Sequence, residues 1–294
     1  MFDLPLHEII IFGSAAAAYL AAAIMGVLQL TTAGRRYGRF LMPLVALAAV
    51  LEAVVLIFRA VAIKAIPLTG TFESLTVLTI VFALVYLFLS IAIQHIWFGS
   101  MMVWVILGVV ILAGAIAEPA SAADYAASTP WAIAHAVAMI LDGAALMLAT
   151  TSAALYLFSR RKLKQKKVLA VLGKVPNIQK LERINIFGLK SAFVLMAFGL
   201  ATGIGLSISL GKTPRDWLTD SKIVLTAGVW LLLGLTLALW RTAKLKEKTI
   251  AYATIIAFIL ILFAAVGTLM FCGTWHDFSS AAGGDTQITG NIEI

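Results

Sequence analysis

Eight stretches of the sequence stay apolar for long enough to cross a lipid bilayer as helices, and nothing else restricts the fold as strongly. They cover residues 9–30, 41–58, 75–93, 101–117, 131–158, 186–206, 223–240 and 250–271. A hydrocarbon core about 30 Å thick needs roughly 20 helical residues to span it. Only helices and closed barrels satisfy every backbone polar group in lipid, and a barrel would show short alternating segments instead. The expectation is an all-α, polytopic transmembrane helical bundle of about eight spans, forming a single integral-membrane domain over residues 1–294. Composition agrees: 62% of residues are hydrophobic and 12% charged, with a mean hydropathy of +1.02. No soluble domain buries that much apolar side chain.

The net charge of +8 does not point to nucleic acid, because the basic residues cluster in a few loops beside apolar runs, where they face anionic lipid. Sixteen of the 22 Lys and Arg residues fall in the connections after the first, fifth and seventh runs. Five, Arg59, Lys64, Lys212, Arg215 and Lys222, fall on the other side, and Lys190 lies within the sixth run near its basic end, placed to snorkel. Basic loops stay in the cytoplasm, so both termini and the 211–222 loop are expected outside. The N-terminal MFDLPLHE has no basic n-region, so the first span is expected to persist in the mature protein. Cys272 is the sole cysteine, which excludes an internal disulfide, a CxxC pair and a CxxCH haem attachment site. The basic 159–185 connection is expected to lie along the membrane as a short amphipathic helix; docking of a cytoplasmic partner is the other reading.

Two histidines share the external level. His135 is at the outer end of the fifth run and His276 just past the outer end of the eighth. Two neutral imidazoles at matched depth suit axial ligation of one haem iron; a local interfacial hydrogen bond for each suits them equally. Between them in sequence lies the polar stretch GKTPRDWLTDSKIVLTAGVW, residues 211–230, with Trp217, Asp220, Lys222 and Trp230. These tryptophans, with Trp131, Trp275, Phe72 and Phe278, fit either a platform for a flat apolar ligand or the ordinary interfacial aromatic belt. Arg59, Lys64, Arg215 and Lys222 are external cations able to meet carboxylates such as haem propionates, or simply solvated. Glu52, Asp142 and Lys190 lie inside spans, where ionisable groups are costly. Asp142 is seven residues below His135 on nearly the same helix face, roughly 10 Å deeper. Gly199 and Gly203 form a GxxxG, a signature of close helix packing. No P-loop, GxGxxG, HExxH or GxSxG is present, so no enzyme activity is expected.

Five stretches carry a resemblance to a family. AIPLTGTFESL, residues 65–75, is similar to an external P-l-x-N-x-x-E-S-L segment through Pro67, Glu73, Ser74 and Leu75. WAIAH, residues 131–135, resembles W-x-x-I-H, and GTWHDF, residues 273–278, resembles G-x-H-S-[YF]. WLTDSK, residues 217–222, resembles the end of a tryptophan-rich W-x-W-D-P-K signature, with Thr219 in place of a tryptophan and Ser221 in place of the proline. Trp230 falls where a further tryptophan is found. The chain thus resembles the cytochrome c assembly family of haem-handling membrane proteins, and most of all its short HemX-like branch. The resemblance implies that His135 and His276 are the axial ligands of a haem at the outer face, with Trp217, Asp220 and Trp230 forming its platform. It also implies residence in the plasma (inner) membrane, delivery of haem to apocytochrome c, and a thioredoxin-fold, apocytochrome-binding membrane partner. Two other readings stay open: a regulatory scaffold of tetrapyrrole synthesis acting through the 159–185 connection, and a subunit of a larger respiratory complex whose ion path uses Glu52, Asp142 and Lys190.

The charge asymmetry predicts that alkaline phosphatase fused within residues 211–222 is active, and that the same reporter fused within 159–185 is inactive. The reverse pattern would invert the topology.

Overall fold

A computed structural model describes residues 4–29, 35–64, 70–92, 96–116, 119, 129–166, 175–243 and 245–267. The helices are α1 (Leu6–Leu28), α2 (Arg35–Ile63), α3 (Thr71–Ala92), α4 (Ile96–Ile116), α5 (Pro130–Lys164), α6 (Ile178–Ser209), α7 (Pro214–Leu218), α8 (Ser221–Thr242) and α9 (Glu247–Leu262). A π-helical turn, Phe263–Gly267, continues α9. All but the five-residue α7 are long and apolar enough to cross a membrane, giving the eight expected spans. Among the described residues every regular element is helical.

Two groups of helices meet at α5. In one, α1 packs on α2 and α4, and α3 lies against α2 and α4. In the other, α6 and α9 lie against the remaining side of α5, with α6 running along it as an extended partner, and α8 packs on α6 and α9. α5 joins the groups by also touching α3 and α4. Its position explains why its buried residues, from Ala138 to Ser159, occur on more than one face.

Polar side chains fasten α1 to its neighbours at three levels. At the N-terminal end of α1 the Arg59 Nε donates to Glu73 Oε1 at 2.8 Å, and its guanidinium lies 3.8 Å from Glu8 Oε2. All three side chains are buried. Midway, Glu52 accepts from Tyr19 Oη at 3.0 Å and from Thr79 Oγ1 at 2.8 Å. At the other end Gln29 Nε2 donates to Ser100 Oγ at 3.2 Å, and Ser100 Oγ donates to the Gly26 carbonyl at 3.0 Å. In hydrocarbon no water competes for these groups, so each polar side chain on α1 specifies its register against α2 or α4.

Two expectations change here. Arg59 is a buried ion-pair residue rather than an external cation turned toward a ligand, because Glu8 and Glu73 from separate helices converge on it. The two ends of the 159–185 stretch belong to spans: residues 159–164 continue α5 and 178–185 open α6, while 167–174, where the short membrane-surface helix is expected, lie outside the described residues. Lys, Arg, Leu and Glu propagate a helix readily. Arg161, Lys162 and Lys164 complement the carbonyl end of α5, and Asn177 caps α6 by accepting from Lys180 N at 2.7 Å.

The two mid-membrane acids differ in their surroundings. Glu52 has two donors, whereas both carboxyl oxygens of Asp142, fully buried on α5, lack a hydrogen-bond partner among the described residues. A buried group stripped of its partner costs about 1–3 kcal/mol. Glu52→Met strands the Tyr19 hydroxyl, while Thr79 Oγ1 keeps the Thr76 carbonyl at 2.8 Å, and is expected to lower the thermal midpoint. Asp142→Val removes an uncompensated group and is expected to raise or preserve it. Thermal unfolding of the two variants in one detergent checks the contrast.

Candidate functional site: the His135 end of α5, α6 and α8

The N-terminal end of α5 is built to hold a histidine against α6. Thr129 caps the helix, its side chain accepting from Ala132 N at 3.3 Å, and Pro130 occupies the first turn, where its missing N–H is not needed. Trp131, His135 and Met139 then follow at intervals of four and rise along one face. α6 meets that face with glycines. A Cβ on Gly205 would stand 2.7 Å from Trp131 Cε3, one on Gly203 3.1 Å from His135 Cε1 and Nδ1, and one on Gly199 2.7 Å from Met139 Sδ. The GxxxG is therefore a packing motif, as expected, and the ring it admits is the candidate ligand itself.

His135 Nδ1 lies 2.7 Å from the Gly199 carbonyl oxygen. A carbonyl only accepts, so Nδ1 carries the proton. In the neutral ring the lone pair is then on Nε2. The same carbonyl accepts from Thr202 Oγ1 at 3.0 Å, which further fixes its direction. Iron- and zinc-ligating histidines generally donate their second N–H in this way, which sets the tautomer and the ring orientation. His135 is half-buried, with its ring gripped by backbone rather than by flexible side chains. Beside it the α5–α6 seam opens into an apolar groove of about 500 Å³ lined by Ile133, Val137, Leu141, Leu195 and Phe198 among others. A neutral imidazole whose lone pair is on Nε2 is a donor of the kind that holds a haem iron.

The loop from α6 to α8 follows from three residues. α6 ends in a Schellman turn: Gly211, at φ +70°, donates to Ile208 O at 3.0 Å, and Lys212 N donates to Ser207 O at 3.0 Å. Pro214 opens α7, the short helix that carries Trp217, whose side chain lies outside the described residues. Asp220 is 3% exposed and caps α8, accepting from Lys222 N at 2.9 Å and Ile223 N at 3.2 Å. Asp220 thus shapes the loop through the backbone. An acid directly before a helical apolar run is the sequence signal for such a cap, and the sequence reading assigned this residue to a ligand platform without using that signal.

Trp230 sits ten residues into α8. Its indole stacks on Phe193 of α6 at 5.2 Å and 5°, and its Nε1 donates to the Phe193 carbonyl at 3.2 Å. It packs α8 on α6, the same helix that orients His135. Phe72, expected among the outer aromatics, is fully buried against Phe12, with ring centroids 5.1 Å apart. His276, Trp275 and Phe278 lie outside the described residues. The structure therefore brings His135 onto α6, ties Trp230 to that helix and gives Asp220 a role in starting α8. The Gly199 carbonyl and the Gly203 slot are the site features that sequence reading missed, because it could not pair them with His135.

Gly203→Val is expected to cost about 1–3 kcal/mol through overpacking and to move the imidazole off the Gly199 carbonyl. Thermal unfolding and the ¹⁵N shifts of labelled His135 report both effects. Gly228, whose Cβ position is open, is the control: Gly228→Ala is expected to be neutral or slightly stabilising.

No curated protein matches the chain. A family model described as cytochrome C assembly protein matches residues 47–276, which takes in α3 to α9 and most of α2, leaves α1 outside, and reaches both His135 and His276. The match extends over most of the sequence, on a helical architecture with eight potential spans. The chain belongs to the cytochrome c assembly protein family.

Proposed function

We propose that this protein is a non-enzymatic haem-binding membrane protein of cytochrome c biogenesis that presents haem at the outer membrane face. The observation that carries the reading is the 2.7 Å hydrogen bond between His135 Nδ1 and the Gly199 carbonyl, which prepares Nε2 as a metal-ligating atom. Family membership and the multi-pass fold support a role in cytochrome c biogenesis. His135 and His276 would hold the haem iron. Haem, when bound, supplies the iron and the redox-active ring, and the chain's own residues bind and orient it.

Each residue has a distinct part. Gly199 and Gly203 fix the His135 ring, so the ligand does not have to be ordered when haem arrives; such preorganisation strengthens binding. Asp220 sets the start of α8 and thereby the place of the loop bearing Trp217, which covers a porphyrin face. Trp230 keeps α8 seated on α6. Lys222 in the first turn of α8 and Arg215 in α7 would meet the propionates, a task for which the buried Arg59 is unsuited. Apocytochrome c is the acceptor, assisted by a thioredoxin-fold, apocytochrome-binding partner in the plasma membrane. The shortened tryptophan signature and the lack of a histidine inside the sixth to eighth spans fit the HemX-like branch.

The test is the absorption spectrum of the detergent-purified protein. The wild type is expected to carry haem with a six-coordinate, low-spin spectrum. His135→Ala and His276→Ala are each expected to lose or shift it, with partial recovery on adding imidazole. A wild type that binds no haem, or a spectrum indifferent to both substitutions, overturns the proposal.

A further inference from the structure

At the basic end of the bundle, α6 and α8 place two hydrogen-bond donors close together with no acceptor among the described residues. Lys190 lies on the exposed stripe of α6 that also carries Arg183, Phe187 and Val194, the last two 64% exposed. Its Nζ stands 5.0 Å from the ring centroid of Trp240, two residues before the end of α8. The seam above it is shut by Phe193 against Trp230 and Gly234, so the lysine stem extends toward the basic end. Among the described residues no carboxylate pairs with Lys190, and no oxygen accepts from Trp240 Nε1–H. Arg241 follows Trp240 directly and is exposed.

An ammonium at the edge of hydrocarbon is costly unless an anion meets it, and the indole face supplies only part of that stabilisation. Two adjacent donors need an oxygen-rich acceptor. The flanking Phe187 and Val194 side chains need an apolar one. A free phosphate gains nothing from them. A soluble acidic protein does not reach Lys190, which is 12 residues, or about 18 Å, beyond the first residue of α6.

We propose that this seam is a binding site for one anionic phospholipid. Lys190 Nζ and Trp240 Nε1–H donate to its phosphate. Arg183 and Arg241 draw the negatively charged headgroup, and an acyl chain lies along Phe187 and Val194. Bound there, the lipid bridges α6 and α8, the pair whose outer half carries Gly199, Gly203 and Trp230. The site does not depend on haem binding.

Native mass spectrometry of the full-length protein, delipidated in mild detergent and titrated with phosphatidylglycerol or phosphatidylcholine, tests this. The wild type is expected to retain one phosphatidylglycerol in preference to phosphatidylcholine. Lys190→Gln should lower that retention roughly tenfold, the loss expected for one hydrogen bond to a charged group, and Lys190→Arg should preserve it. Trp240→Phe, which keeps a ring but removes the N–H, should weaken it less. Size-exclusion profiles and thermal midpoints matching the wild type establish that each variant is folded. Equal retention of the two lipids, or unchanged retention in folded Lys190→Gln, overturns the proposal. Displacement of phosphatidylglycerol by inorganic phosphate as readily as by excess lipid assigns the site to a free anion and overturns it too.

Discussion

In hydrocarbon a polar or charged side chain is costly without a partner inside the protein, and this requirement for a partner organises most of the bundle, Asp142 being an exception. Backbone groups meet it by forming helices. Side chains meet it by pairing helices. The buried Arg59 pair with Glu73 closes α2 on α3, and Glu8 brings α1 to the same point. Glu52 draws Tyr19 and Thr79 together from α1 and α3. Burying a charge pair is weak evidence for net stability, but a pair that is satisfied only in one register is good evidence for specificity. α1 lies outside the region shared with the family model, yet three polar contacts dock it to helices inside or overlapping that region.

The same requirement shapes the candidate site by a different route. His135 is a polar ring near the N-terminal end of a long apolar span, and α6 answers it with a backbone carbonyl. Close approach of two backbones is possible only where side chains are absent, which is why glycine recurs at 199, 203 and 205. Packing and ligand chemistry are thus one feature on this seam: the contact that holds α5 to α6 is also the contact that sets the imidazole tautomer. α8 is tied to α6 by Trp230 and started by Asp220, so the loop between them takes its position from the helix that orients the histidine.

Much of this was legible in the sequence. The eight spans were, because long apolar runs have few alternatives in lipid. Their ends were less so: basic residues look like loop, yet they extend α5 and α6 by completing helix termini. Contacts between distant residues were not legible at all. Arg59 looked like a solvated outer cation, since nothing near it in sequence announces that Glu8 would reach it from another helix. Trp230 and Asp220 were read for ligand chemistry, and the first packs α8 on α6 while the second caps α8. For Gly199 and Gly203 the packing role was visible and the packed residue was not. His135 stood out from its type and level, but its hydrogen bond is a three-dimensional fact.

The central claim is that the α5–α6 seam presents His135 Nε2 as an iron ligand. Pulsed electron paramagnetic resonance of the ferric, haem-loaded protein, with and without ¹⁵N-histidine labelling, addresses it directly. The account predicts a low-spin signal whose modulation contains two coordinated imidazoles in the wild type and one in His135→Ala. A signal unchanged by histidine labelling, or two coordinated imidazoles persisting in His135→Ala, would contradict it.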